Sequence, residues 1–240
     1  MNRKRTIFVK DEIKAVFNFL KTPKNISNIT EIAGITTITT DTLLLYSLQY
    51  PVYLQNGQIV TINYINYQVS NCNYSNGTFD VIAAGLVATS WHLACEFKFG
   101  SRPEINLLLD IESKTDEKKN MRYPFVWLFV NEPEIHDSDE YDFKTSLKMA
   151  FVQISKSEYK AEFREENIFK PVLAPLVQMF IELIQSSYFS KIFSFEYTKL
   201  NYDEYYRFFY GSADKDQMVF NAPTDAIEID FDVIFQNQYN

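Results

Sequence analysis

The sequence predicts an α+β fold: a mostly antiparallel sheet with one long packed helix at about residues 168–186 and a shorter N-terminal helix. Three observations predict it. Ala226 to Gln236 alternates with period two, setting Ile227, Ile229, Phe231, Val233 and Phe235 against Glu228, Asp230 and Asp232. Tyr123 to Val130 is apolar on both faces, which marks a central strand. Between these two, positions 172, 173, 176, 177, 180, 181, 183 and 184 are apolar at helical spacing.

Taken in order, residues 7–21 predict a helix, because Ile13, Val16, Phe17 and Leu20 share a face and Thr22-Pro23 stops the run. Residues 24–50 are rich in Ile, Thr and Asn without clean periodicity, which reads as loop with short strands. Asn56-Gly57 is a hairpin signal ahead of the β-favouring run Ile59 to Val69. Asn76-Gly77 is a second turn, before the apolar stretch Phe79 to Val87; that stretch suits a buried strand, with Ala83, Ala84 and Gly85 leaving a helix open. Leu93, Cys95, Phe97 and Phe99 alternate with Ala94, Glu96 and Lys98 as a half-buried strand does. Asp110 to Arg122 and Asn131 to Tyr141 read as charged loops, and Leu147 to Ile154 as a strand. Pro124 is tolerated near the start of its strand. Glu165-Glu166-Asn167 opens the long helix, with acids at its positive end, Pro171 in its first turn and Pro175 as an irregularity that shifts its start C-terminally. Phe193 to Tyr210 is a strongly aromatic strand. The organisation expected is an N-terminal helix and extension at 1–50 and an α+β domain at 51–240, together forming a single compact domain overall.

Composition removes several chemistries. The 240 residues include 23 basic and 31 acidic side chains, a net charge of −8 and a pI near 4.9, which opposes duplex binding by phosphate neutralisation. The six glycines form neither a GxG nor a GxxxxGK, so phosphate-cradling loops of those types are excluded. His92 and His136 make no HxxxH or HExxH, and His92 with Cys95 lacks a second pair for zinc. The acidic run at Asp137, Asp139, Glu140 and Asp142 lacks the glycine and closing glutamate of an EF-hand. There is no GxSxG, and no pair of carboxylates stands out for hydrolysis. Cys72 and Cys95 read as reduced, mostly buried thiols. The basic start Met1 to Arg5 precedes too short an apolar run for a signal peptide, and Val172 to Ile184 is too short to span a bilayer. No catalytic residue, cofactor or metal is expected. The nine aromatics from Phe193 to Tyr210 are accompanied only by Lys199 and Arg207, which favours sheet core and interface over a nucleic-acid platform.

Three segments carry a resemblance. Tyr123-Pro124-Phe125-Val126-Trp127-Leu128 resembles a strand of the tail-terminator and head–tail connector proteins of tailed bacteriophages. Arg164, followed by Ile168-Phe169-Lys170-Pro171-Val172-Leu173-Ala174-Pro175, is similar to the entry of their principal helix, and Gly211 with Thr224-Asp225-Ala226-Ile227-Glu228-Ile229 to their closing strand. The resemblance covers roughly Pro51 to Gln236, and the AT-rich codon bias implied by abundant Asn, Ile and Lys suits the crAss-like phages. It implies a tail-terminator-like fold with insertions and a structural virion protein, synthesised and assembled in the host cytoplasm. Its partners would be further copies of itself in a closed ring, twelve or alternatively six, and the adjacent portal, neck or tail rings. DNA would pass through without specific binding, and no membrane is involved. Tyr123, Pro124, Phe125, Arg164, Phe169, Pro171, Pro175, Asp225 and Ile227 would be structural motif residues. The acidic loops holding Asp116, Glu117, Glu132, Glu134, Asp137, Asp139 and Glu140 are candidates for the channel wall or ring-to-ring contact, because such walls do not hold phosphate. The basic start Arg3-Lys4-Arg5 suits either a docking arm or a frayed terminus. The rival readings are a soluble aromatic-rich module binding carbohydrate or peptide, and a carboxylate-dependent hydrolase.

Overall fold

The computed structural model describes residues 9–47, 51–101, 104–105, 107–108, 123–129, 134–136, 143–156, 158–185, 193–203 and 224–235. Helix α1 (Val9–Leu20) presents Ile13, Val16, Phe17 and Leu20, all buried, as its spacing predicts. It ends where Thr22 Oγ1 donates to Phe19 O at 2.7 Å and Pro23 bars another turn.

The segment expected to be mostly loop is a strand hairpin. β1 (Lys24–Ile32) and β2 (Ile35–Thr40) pair antiparallel across Ala33 and Gly34, both at positive φ. β3 (Leu44–Ser47) and β4 (Pro51–Tyr53) form a small separate hairpin. β5 (Ile59–Ile62) and β6 (Ile65–Gln68) follow, then β7 (Ser70–Asn73), β8 (Thr78–Ile82) and β9 (Ser90–Leu93). Asn56-Gly57 is a turn but does not join a hairpin: the one in this region closes at Asn63 and Tyr64, whose φ values of 48° and 65° suit a primed turn. Asn76-Gly77 does lie in the β7–β8 turn.

The seven-stranded sheet runs β6-β5-β9-β1-β2-β8-β7, antiparallel throughout. Its two outermost strands, β6 and β7, are separated in the chain by Val69 alone. The sheet must therefore curl until its ends meet, and β6 indeed lies against β8. Ile38, Val60, Ile62, Val69, Phe79, Val81, Trp91 and Leu93 are buried in this barrel. Because β1 and β2 belong to it together with β5 to β9, a division of the chain at residue 50 would cut through a hydrogen-bonded sheet.

The run from Leu93 to Phe99 is not one strand. β9 ends at Leu93 and β10 (Glu96–Gly100) begins a second sheet, so the alternation spans a crossing at Ala94 and Cys95. Buried Cys95 has its thiol pushed up to about 12, chiefly by desolvation; half-buried Cys72 is pushed up to about 11 by desolvation and then by Asp80. Neither thiol ionises at neutral pH, so a thiol reagent at pH 8 is expected to label the native chain far more slowly than the urea-unfolded chain. The linkage sign follows: the folded pKa values lie above the ordinary 9, so stability is intact below that pH and is lost as pH rises toward 12. Cys95→Ala should flatten that alkaline slope in urea titrations at several pH values; an unchanged slope would contradict the assignment.

The second sheet adds β11 (Phe125–Phe129), β12 (Glu134–His136), β13 (Phe143–Ile154), β14 (Phe193–Asp203) and β15 (Thr224–Phe235) in the order β10-β11-β13-β15-β14, with β12 beside β13. β10 and β11 are parallel and the other pairs antiparallel. β11 is interior, as its two apolar faces predict. Val126 and Leu128 join the core shared with the barrel and helices, while Phe125 and Trp127 join a second cluster with Ile105, Tyr123, Ala150, Val152 and Ala226. For the same reason β15 is not half-exposed. Its acidic side holds Glu228, 5% exposed and paired with Lys148 at 2.6 Å.

Helix α2 (Ala161–Gln185) begins before the expected Ile168. Prolines 171 and 175 do not delay it, because Glu165–Leu173 winds as a wide π-type segment in which Ala174 N donates to Phe169 O, five residues back. In an α-helix the Pro171 ring would strike the carbonyl four residues earlier; the wider turn moves that carbonyl aside. By length and composition α2 could cross a membrane, but 56% of its apolar window is buried inside the protein, as in a core helix. Phe180 stacks on Phe17 at 5.2 Å and meets Phe151 and Phe231 edge-on, tying α1, α2 and the second sheet together.

Candidate functional site

Of the residues singled out in the sequence, Arg164 and Asp225 meet where α2 packs on β15, and Tyr123 to Phe125 lie at the start of β11, two strands away. Arg164, in the first turn of α2, is fully buried. Its Nε donates to Tyr159 O at 3.1 Å, its Nη2 to Lys156 O at 3.0 Å and its Nη1 to Asp225 Oδ1 at 3.2 Å. Asp225, near the start of β15, is also fully buried. The guanidinium thus pins the approach to α2, the helix itself and the closing strand at one point. A buried charge requires such a complete set of partners.

Tyr123 and Pro124, joined by a cis peptide, lead into β11. The Tyr123 carbonyl links the two sheets, accepting from Asn66 Nδ2 of β6 at 2.6 Å, while the Pro124 carbonyl accepts from Glu96 N of β10 at 3.2 Å within the second sheet. Phe125 is fully buried in the second cluster, and Phe169 and Ile227 lie in the main core. Pro171 faces Gly57, in the turn before β5, with no room between them for a Cβ. Pro175 lies one turn further along, on a groove. Of the acidic loop residues, Glu134 lies in β12, opposite Thr145 of β13. Asp116, Glu117, Glu132, Asp137, Asp139 and Glu140 fall outside the described residues.

Two surface features were not foreseen. The first is a groove of about 680 Å³ between α2 and the β3–β4 hairpin, lined by Pro51, Tyr53, Tyr74, Pro175, Gln178 and Met179 among others. Tyr53 and Tyr74 meet edge-on at 5.8 Å, and Tyr74 Oη donates to Leu54 O at 3.0 Å. Burial and then Cys72 raise the Tyr74 hydroxyl above its ordinary value, which keeps it a donor. The acid in the groove, Glu182, accepts from Gln178 Nε2 at 2.8 Å. The second is an aliphatic tip on the barrel. Ile32, Ile35 and Ile82 are register partners across β1, β2 and β8, and Val87 follows in the next loop. They are 79%, 48%, 83% and 84% exposed. A sequence cannot distinguish such isoleucines from core ones, since apolar side chains are ordinarily inside.

Among the described residues no three His, Cys, Asp or Glu side chains converge as metal ligands would. No family model matches the chain, and no curated protein matches it.

Proposed function

We propose that the chain is a structural subunit of a tailed-phage neck, forming a closed ring between portal and tail that docks neighbouring rings and surrounds the DNA conduit. It acts without catalysis or cofactor. The observation that supports this is the contact between two of the three resembling segments, with the third in the same sheet as one of them. Separated by up to 61 residues, Arg164 and Asp225 meet as a buried pair, and the Tyr123–Leu128 strand lies two strands from β15 in the same sheet. A resemblance scattered over unrelated parts of the fold would carry less weight.

Twelve copies are proposed, with six the alternative. Light scattering on the purified chain at high concentration and moderate salt is expected to give roughly 340 kDa, or half that for the hexamer, against 28.2 kDa for one copy. A monomer at every concentration, with density for the chain missing from the neck of the intact particle, would overturn the reading.

The groove favours one other reading, a module that binds carbohydrate or peptide against Tyr53 and Tyr74. It calls for saturable binding to a glycan or peptide array by a monomeric chain, lost in Tyr53→Ala.

A further inference from the structure

We infer that copies of this chain join head to tail, the aliphatic tip of one barrel entering the tyrosine- and proline-lined groove of the next. The inference rests on the ring reading and gives that ring its contact.

The tip is made for burial. Between residues 32 and 40, and again between 81 and 95, the sequence has no Asp, Glu, Lys or Arg. Glu31, the exposed acid beside the tip, has its carboxylate engaged in accepting from Gly85 N at 2.7 Å. Asn63 Nδ2 donates to Val87 O at 2.6 Å. Two backbone groups that would otherwise need water are thus already satisfied, which removes much of the cost of drying this surface. Ile32, Ile35, Ile82 and Val87 together expose roughly 500 Å² of aliphatic surface, near the top of what a monomer ordinarily leaves in water.

The groove matches it in chemistry. It is neutral apart from Glu182, which is already hydrogen-bonded; Pro51, Val52, Pro175 and Met179 give it apolar walls, and Gln55, Gln58 and Gln178 line the rest. Its volume lies within the range that holds a drug-sized ligand, so it can receive several aliphatic side chains.

Topology excludes the tip from its own groove. β8 runs from the Tyr74–Gly77 turn, beside the groove, to Ile82 at the tip. Five residues of strand separate the two ends by roughly 15 Å. Tip and groove are therefore different patches; a two-fold pair would use both contacts at once, whereas in the ring each union is heterologous and passes on to the next copy. The area also fits. About 500 Å² per side is below the roughly 800 Å² per partner of a stable pairwise complex, so an isolated contact is weak. Closure makes each copy both donor and acceptor, which stabilises the whole through effective concentration.

The test uses the full chain with Cys72→Ser. Ile82→Cys and Gln178→Cys are made separately, one with an affinity tag, then mixed under mild oxidation. The expected product is a tagged–untagged disulfide dimer, with no Ile82→Cys homodimer. In parallel, Ile32→Asp with Ile82→Asp should keep the native circular dichroism while raising the concentration needed for assembly at least tenfold. A full-mass ring from the aspartate variant, without the mixed disulfide, would overturn this contact and leave the ring reading standing. A wild type that stays monomeric while the mixed disulfide still forms would keep the contact and remove the ring. Monomers with no disulfide would overturn both. Wild-type binding to phosphatidylcholine vesicles that the aspartate variant loses, again without the disulfide, would assign the tip to lipid instead.

Discussion

Replacing Arg164 by methionine is expected to destabilise the chain by about 3–5 kcal/mol, the largest loss from any single substitution considered for this protein. Methionine fills much of the same volume, so the loss is not mainly a cavity. It comes from leaving the Asp225 carboxylate in a site with no water, while Lys156 O and Tyr159 O lose their donors. The double variant Arg164→Met with Asp225→Leu removes both charges. It should recover a substantial part of the loss, since a buried pair replaced by packed apolar groups is often close to neutral. Urea titrations of the wild type, both single variants and the double variant complete the cycle. Additive losses would mean that the two groups are not energetically coupled, and the pin between α2 and β15 would have to be abandoned.

Gly57→Ala should have the next largest effect, about 2–4 kcal/mol, for two separable reasons. Gly57 has φ of +87°, where a Cβ costs roughly 1 kcal/mol by itself. The added Cβ would also fall on Pro171 Cβ, well inside contact distance, with the Pro171 backbone close behind. Proline in a wide helical turn has no alternative rotamer to adopt, so the barrel as a whole has to back away from α2. Gly34→Ala supplies the control. Gly34 has a similar φ of +79° but open space around it, so it should lose only the backbone part. Equal losses at 57 and 34 in thermal or urea unfolding would show that the Pro171 contact contributes nothing.

How much of this was legible in the sequence depends on element length. β15 and α2 are long enough for their periods to declare themselves, and β11 declares itself by being apolar on every side. The fold class followed from those three. The barrel did not, because β5, β6, β7 and β9 have four residues each, too few for alternation to stand out from chance. One of its two-residue hairpins turns at Asn63-Tyr64, with no glycine to announce it. The Leu93–Phe99 alternation was misleading as an element, because the chain changes sheets at Ala94 and Cys95 and the order of faces reverses: Ala94 and Lys98 are buried and Phe99 is exposed. The motif segments could be quoted from the sequence, but not the contact between Arg164 and Asp225, since nothing local connects residues so far apart. Groove and tip were invisible for a related reason: both are defined by what fails to cover them.

The single-residue link at Val69 bears on how the chain behaves among its own copies. An open row of peptide N–H and C=O groups accepts any strand that drifts alongside, and identical copies at high concentration present many such strands. By turning its seven-stranded sheet back on itself, the chain brings its two outer strands, β6 and β7, together through one residue, and each of them has only four residues. In the other sheet the outermost strands are β10, of five residues, and β14, of eleven. Among the described residues β14 is thus the longest row of peptide groups at a sheet edge, and recognition elsewhere falls more to side chains, which can be selective. The same economy that joins β6 to β7 keeps the edges of that sheet short, a measure against fibres.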